Sequence, residues 1–266
     1  MRYQWEFRAK VEMAAIFVVG ALLLLSIINL IPNVVAAHAR TIDPLPQLYA
    51  SKEAGQTVLE ERTVYLTFDD GPSINTERIL DILAARNARA TFFVTAQEED
   101  REYLAALINR IINEGHSLGL HSLTHNFAGI YASPEAYLRD IDELRQLILD
   151  ISGYKPSIVR FPGGSHTVNA SPETISAIQE ELTRRGYTWY DWDICTEDSG
   201  AVPRPAEDIA KSIIDGVLEQ DGGIIVLCHD NRTPATTPDA IAIAIDELAP
   251  RGFRFESLGS SGSPTD

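Results

Sequence analysis

Five short stretches of this chain hold acids, imidazoles and glycines in combinations that a packed core does not need. Asp69 and Asp70 stand together ahead of Gly71-Pro72, and His121 and His125 are separated by three residues. Arg160 opens Arg160-Phe161-Pro162-Gly163-Gly164, the acids Asp193, Glu197 and Asp198 follow Trp192, and His229 precedes Asp230. Side chains alternate along a strand, so consecutive aspartates face different ways and can divide two tasks, one on a cation and one on a proton. Taken alone, Asp-Asp-Gly-Pro is also an ordinary turn. Two imidazoles spaced four apart on a helical turn reach one ion. A carboxylate would then complete a His₂Asp set with positions open for water, the composition of a hydrolytic metal site.

The elements that must carry these residues alternate regularly. Runs rich in β-branched and aromatic residues at 64–68, 90–95, 117–119, 157–161, 187–191 and 223–228 predict strands. Apolar-periodic stretches at 76–85, 101–114, 134–151, 172–185, 205–220 and 238–248 predict helices. Ser133-Pro134, Ser171-Pro172 and Thr237-Pro238 are expected cap and first-turn pairs. Such alternation predicts an α/β fold, with a mainly parallel sheet or barrel. In these folds catalytic groups gather at the carboxyl ends of the strands, and the unusual polar residues do fall directly after strand runs.

Thr67-Phe68-Asp69-Asp70-Gly71-Pro72, His121-Ser-Leu-Thr-His125, Arg160-Phe-Pro-Gly-Gly and Leu227-Cys228-His229 resemble, in order and spacing, motifs of the polysaccharide deacetylases, carbohydrate esterase family four. The resemblance spans roughly 63–258 and implies an irregular (β/α) barrel. It implies a metal-dependent hydrolase that removes N-acetyl groups from amino sugars of a cell-wall polysaccharide, peptidoglycan first. Asp70, His121 and His125 would hold a divalent metal, most often Zn²⁺, with Co²⁺ or Mn²⁺ as alternatives. Asp69 would be the general base, paired with Arg160, and His229 would protonate the departing nitrogen. The backbone N–H of Gly163 would stabilise the oxyanion, with Pro162, Gly163, Trp192 and Leu227 contacting substrate. An O-acetyl esterase on a xylan-like glycan, or a catalytically weakened wall-glycan-binding protein, are the other readings.

Two departures from the family pattern stand out. Gly163-Gly164 takes the place of a common tyrosine after the proline, which keeps a backbone donor and loses an aromatic surface. The fourth motif places Cys195 where many relatives carry the aspartate that orients the catalytic histidine, and Ser199 where a tryptophan is usual. Asp193 or Asp198 is left to supply that carboxylate, and Asp198 is favoured.

The remaining features bound the setting. Residues 14–31 are apolar but for Gly20, Ser26 and Asn29, and they follow Arg2, Arg8 and Lys10. This predicts a signal anchor, an N-terminal transmembrane helix, or else a signal peptide cleaved after Ala39. Either places the rest outside the cytoplasm, membrane-anchored or secreted. The expected plan is that segment at 1–39, a linker at 40–62, one catalytic domain at 63–258 and a disordered tail at 259–266. Thirty-eight acidic against 22 basic residues give a formal charge of -16, which excludes nucleic acid as a partner. The expected partners are an acetylated glycan and, through the N-terminal segment, the membrane; a monomer is expected. Cys195 and Cys228 are too few for a disulfide framework and are expected free, a single bridge being the alternative.

Overall fold

A strand buried along its whole length, such as Thr63–Asp69 (β1), belongs inside a parallel sheet whose two faces are both covered. The computed structural model describes residues 60–259, apart from 201 and 234, and there β1 is central. On one side lie β2 (Thr91–Thr95), β3 (Ser117–Ser122), β4 (Ile158–Val159) and β5 (Thr188–Trp189). On the other lie β7 (Ile224–His229) and then β6 (Ile194–Cys195), while β8 (Arg254–Phe255) runs beside the start of β1. Every pairing is parallel, and among the described residues no ladder joins β5 to β6. The result is an incomplete, irregular (β/α) barrel, as the alternation and the resemblance led us to expect.

The helices are α1 (Ile74–Ala85), α2 (Arg101–Asn113), α3 (Phe127–Ile130), α4 (Pro134–Ser152), α5 (Pro172–Arg184), α6 (Ala206–Leu218) and α7 (Thr237–Leu248). Their starts are written in the sequence. Ser133 and Ser171 accept N–H bonds from Ala136 and Thr174, each with proline in the first turn, and Ser73 with Thr76 forms a capping box. Thr237 departs from expectation. It lies inside α7, whose cap is Thr236, and its hydroxyl is used elsewhere.

Alternation along the strands sorts residues between two faces. Leu66, Phe68, Phe92, Val94, Leu118, Leu120, Val159 and Val226 join the helices in the main core. Tyr65, Phe93, Ile158 and Ile225 form a smaller cluster on the other face. Continuing the same count toward the carboxyl ends brings Thr67, Asp69, His121, Arg160, Leu227 and His229 to that second face. The fold therefore delivers the polar residues to one end of one surface.

Among the elements not anticipated are β6 and β8, two residues each, and the single turn α3. Strand β3 also runs three residues past 119, so His121 is part of it. The two cysteines are free, Cys195 exposed and Cys228 buried. The expected N-terminal apolar segment, most of the linker and all but the first residue of the tail lie outside the described residues. Among the described residues no helix is long and apolar enough to cross a membrane.

Candidate active site

Register places the first two chemical groups. β1 and β7 pair so that Asp69 stands opposite His229, and the two side chains leave the same face side by side. Asp69 is 3% exposed, and its Oδ1 accepts from Arg160 Nη1 at 3.0 Å. Arg160 has no exposure at all, and nearly all of its fork is engaged. Nη1 also reaches Thr67 Oγ1 at 2.6 Å, Nε donates to the Tyr190 carbonyl at 3.1 Å and Nη2 to the Asp191 carbonyl at 3.0 Å. The guanidinium lies over the Phe93 ring, 4.3 Å from its centroid. Asp69 is thereby held in one orientation by a fixed positive charge.

Asp70 follows the strand directly with a left-handed backbone, φ 74°. One donor atom each from Asp70, His121 and His125 lie within 4.8 Å of one another. His125 Nε2 is 3.0 Å and His121 Nε2 is 3.4 Å from Asp70 Oδ1. The expected helical turn between the two histidines is not what unites them. His121 projects from β3, and His125 stands four residues on in a loop, at φ 51°, so a strand end and a left-handed turn bring the rings to 5.3 Å.

This cluster fits a divalent cation. His121 Nδ1 lies 2.9 Å from the Arg160 carbonyl, which can only accept, so Nδ1 carries a proton and Nε2 is the nitrogen left to face a cation. Asp70 Oδ1 is buried and, among the described residues, meets no donor other than the two imidazole nitrogens. Burial opposes charge on both partners. Even so, the imidazoles hold the Asp70 carboxyl far below its usual range, and Asp69 and Asp70 raise the pKa of His121. A field that favours positive charge, lined by two imidazole nitrogens and a carboxylate, suits Zn²⁺ or Co²⁺.

Across the face, Asp198 Oδ1 is 2.7 Å from His229 Nδ1, while its Oδ2 accepts the His229 N–H at 2.9 Å and the Thr237 hydroxyl at 2.7 Å. Asp193 is committed elsewhere, accepting the Ile225 N–H at 2.8 Å. Of the two carboxylates the sequence left open, Asp198 is the one on the histidine. Burial works against a charged His229, but the hydrogen bond and charge of Asp198, with Asp69 and Asp70 behind it, lift its pKa to about 9. His116, in contrast, sits just before the start of β3, at the far end of the strand. There it accepts the Ala90 N–H, and burial lowers its pKa to about 4.

Gly163 and Trp192 line a pocket of about 130 Å³ together with Gly164, Ser165, His166 and Asp191. Pro162 and Leu227 lie outside that lining. Pro162 accepts the Tyr131 hydroxyl at 2.8 Å, and Leu227, 4% exposed, faces Thr67 across β1 and β7. Gly163 and Gly164 both have positive φ, 78° and 80°. A Cβ on Gly164 would come within 2.9 Å of the Trp192 ring, so the indole occupies the space a side chain would need. The Gly163 N–H meets no acceptor among the described residues, which leaves it available to a ligand.

Residues that sequence reasoning passed over hold this assembly in place: Thr67, Asp140, Thr237, Asp230 and Asn231. Asp230 is 1% exposed; burial, reinforced by Asp70 and Asp69 and opposed by its donors Thr76 and Gly71, pushes its carboxyl up to about 7. Its place directly after His229 was visible in the sequence, but its contacts were not.

Comparison with known proteins gives a consistent picture. Residues 56–180 match the sequence profile of the polysaccharide deacetylase family. A peptidoglycan-N-acetylglucosamine deacetylase of Bacillus cereus is 32% identical over 200 residues, covering 74% of this chain and 70% of that protein. The catalytic domain of a peptidoglycan N-acetylglucosamine deacetylase from Eubacterium rectale superposes with a TM-score of 0.72 at 31% identity, over 79% of this chain and 95% of that one. A family 4 acetyl xylan esterase from Clostridium thermocellum, solved with a cobalt ion, gives 0.62 at 32% identity, over 74% and 88%.

Proposed function

The chain belongs to the polysaccharide deacetylase family, and from that premise we propose that it removes N-acetyl groups from the amino sugars of peptidoglycan, using a divalent cation held by Asp70, His121 and His125. When bound, such a cation supplies Lewis-acid polarisation of the acetyl carbonyl and lowers the pKa of water. Zinc is the first choice, and cobalt is the ion named with one structural relative.

The chain's own residues divide the proton transfers. Asp69 keeps Oδ1 on Arg160, so Oδ2 is the oxygen left to take a proton from the attacking water. His229, its register partner, gives a proton to the departing nitrogen from Nε2, because Nδ1 is committed to Asp198. The Gly163 N–H is the donor offered to the carbonyl oxygen as negative charge develops there.

One observation carries the choice of an amide substrate: the imidazole is braced by a buried carboxylate whose hydrogen bond and charge favour its protonated form. An amine leaving group needs that proton, whereas an alcohol needs it far less. The Asp198 contact also argues against a weakened, binding-only protein, since the support that Cys195 does not provide comes from another residue. The apolar run at 14–31 supports placing the reaction outside the cytoplasm, at the membrane or beyond it.

Acetate release from peptidoglycan, chitin oligomers and acetylated xylan, with Zn²⁺ or Co²⁺ added, tests the reading. Release from peptidoglycan is expected, and release from xylan alone would replace it with the esterase. A second expectation concerns pH. Activity should fall at alkaline pH as His229 loses its proton, and with the cation bound that limb should lie below about 9, because the cation offsets the charge of Asp69 and Asp70. Asp198→Asn removes the charge that raises this pKa, so the alkaline limb should move down toward the ordinary histidine range, and activity at pH 8 should drop by about tenfold or more. An unmoved limb would mean that His229 is not the acid.

A further inference from the structure

Two buried carboxylates outside the ligand set fasten the two loops that carry the ligands. Asp140, on α4 and 8% exposed, takes four hydrogen bonds from the turn between His121 and His125. Ser122 Oγ and the Leu123 N–H reach its Oδ2 at 2.7 Å each, and the Thr124 N–H and hydroxyl reach Oδ1 at 3.2 and 2.7 Å. The Ser122 hydroxyl then accepts the His125 N–H at 2.8 Å. Asp230 treats the other loop in the same way. Its Oδ1 accepts the Gly71 N–H at 2.9 Å, Oδ2 accepts the Thr76 hydroxyl at 2.5 Å, and its carbonyl accepts the Ser73 hydroxyl at 2.5 Å. A Cβ on residue 71 would lie 2.3 Å from Asp230 Oδ2, so the carboxylate closes directly over a glycine. The next residue, Asn231, donates to Asp70 Oδ2 at 3.4 Å, which leaves Oδ1 to the imidazoles.

We propose that Asp140 and Asp230 are positioning residues that set the cation affinity of the site, an inference that rests on reading Asp70, His121 and His125 as its ligands. Asp70 and His125 both hold positive φ, at 74° and 51°, a conformation that side-chain-bearing residues disfavour. Asp230 grips the peptide N–H of the residue after Asp70. Asp140 grips the three residues that lead into His125. Freed of either clasp, the loop would relax toward ordinary backbone angles, and the donor atoms would diverge although all three ligands remained.

The test uses the full chain, with Co²⁺ as the probe for both affinity and the visible ligand-field spectrum. Asp140→Ala and Asp230→Ala should each bind Co²⁺ about 10- to 100-fold more weakly and show an altered spectrum. Asp140→Asn and Asp230→Asn retain one acceptor each and should fall between these and the wild type. Thr124→Val and Asn231→Ala each remove one hydrogen bond to Asp140 or Asp70 and one local bond from a backbone N–H, near the surface, should fold in any case, and should lose about threefold. Wild-type affinity and spectrum throughout the series would overturn the proposal. A wild-type chain that takes up no Co²⁺ would instead overturn the ligand assignment beneath it.

Discussion

Asp69→Asn should lose about 10³-fold or more in acetate release while keeping its cation, and His121→Ala should lose cation and activity together. Asparagine keeps the shape of Asp69 and an oxygen for Arg160 Nη1, so the strand end should stay in place. What it loses is the ability to accept a proton on the second oxygen. What distinguishes the two aspartates is that Asp70 reaches both imidazoles and Asp69 approaches one. His121 Nε2 lies 3.8 Å from Asp69 Oδ2, whereas Asp70 Oδ1 is 3.4 Å from His121 and 3.0 Å from His125. His121→Ala leaves only Asp70 and His125, too few protein ligands for tight binding of a catalytic ion. Metal content after gel filtration, measured beside acetate release, decides the matter. A metal-free Asp69→Asn chain would make Asp69 a ligand and leave the base unassigned.

How much of this could be read in advance depended on whether the relevant signal was local. Alternation of side chains along β1, β3 and β7 is local, so the convergence of Asp69, His121 and His229 on one face followed from the strand pattern once the strands were placed. The geometry of the His121–His125 pair did not follow. A four-residue spacing reads as a helical turn, and nothing in Ser-Leu-Thr reveals that β3 continues through Ser122 or that His125 turns left-handed. The preference for Asp198 over Asp193 had no geometric ground in sequence, because both are acids after an aromatic run. Only the pairing with β7 of β6, a strand too short to leave a pattern, sets one against the Ile225 N–H and the other against His229. Asp140 and Asp230 look like ordinary helix and loop acids for the same reason. Their importance lies in burial and in long-range partners, which composition does not carry.

Arg160 is where stability and chemistry depend on the same contacts, and its replacement should be costly for both. Arg160→Met should destabilise the metal-free chain by about 3–5 kcal/mol in urea denaturation, because it leaves the buried Asp69 carboxylate without its counter-charge. The Tyr190 and Asp191 carbonyls and Thr67 would lose donors at the same time. Activity should vanish with the orientation of Asp69. Arg160→Lys restores charge but offers a point where the site is built for a planar fork, so it should recover only a minor part of either property. The double replacement Asp69→Leu with Arg160→Met separates the two effects. With both charges gone, much of the lost stability should return, since a buried ion pair exchanged whole for apolar groups is often nearly neutral. Catalysis should remain absent, because no group is left to take the proton. If the double variant were as unstable as Arg160→Met alone, the weight would fall on the backbone carbonyls rather than on Asp69. If Arg160→Met matched the wild type in stability, the buried pair could not be what holds this end of β1 to β4.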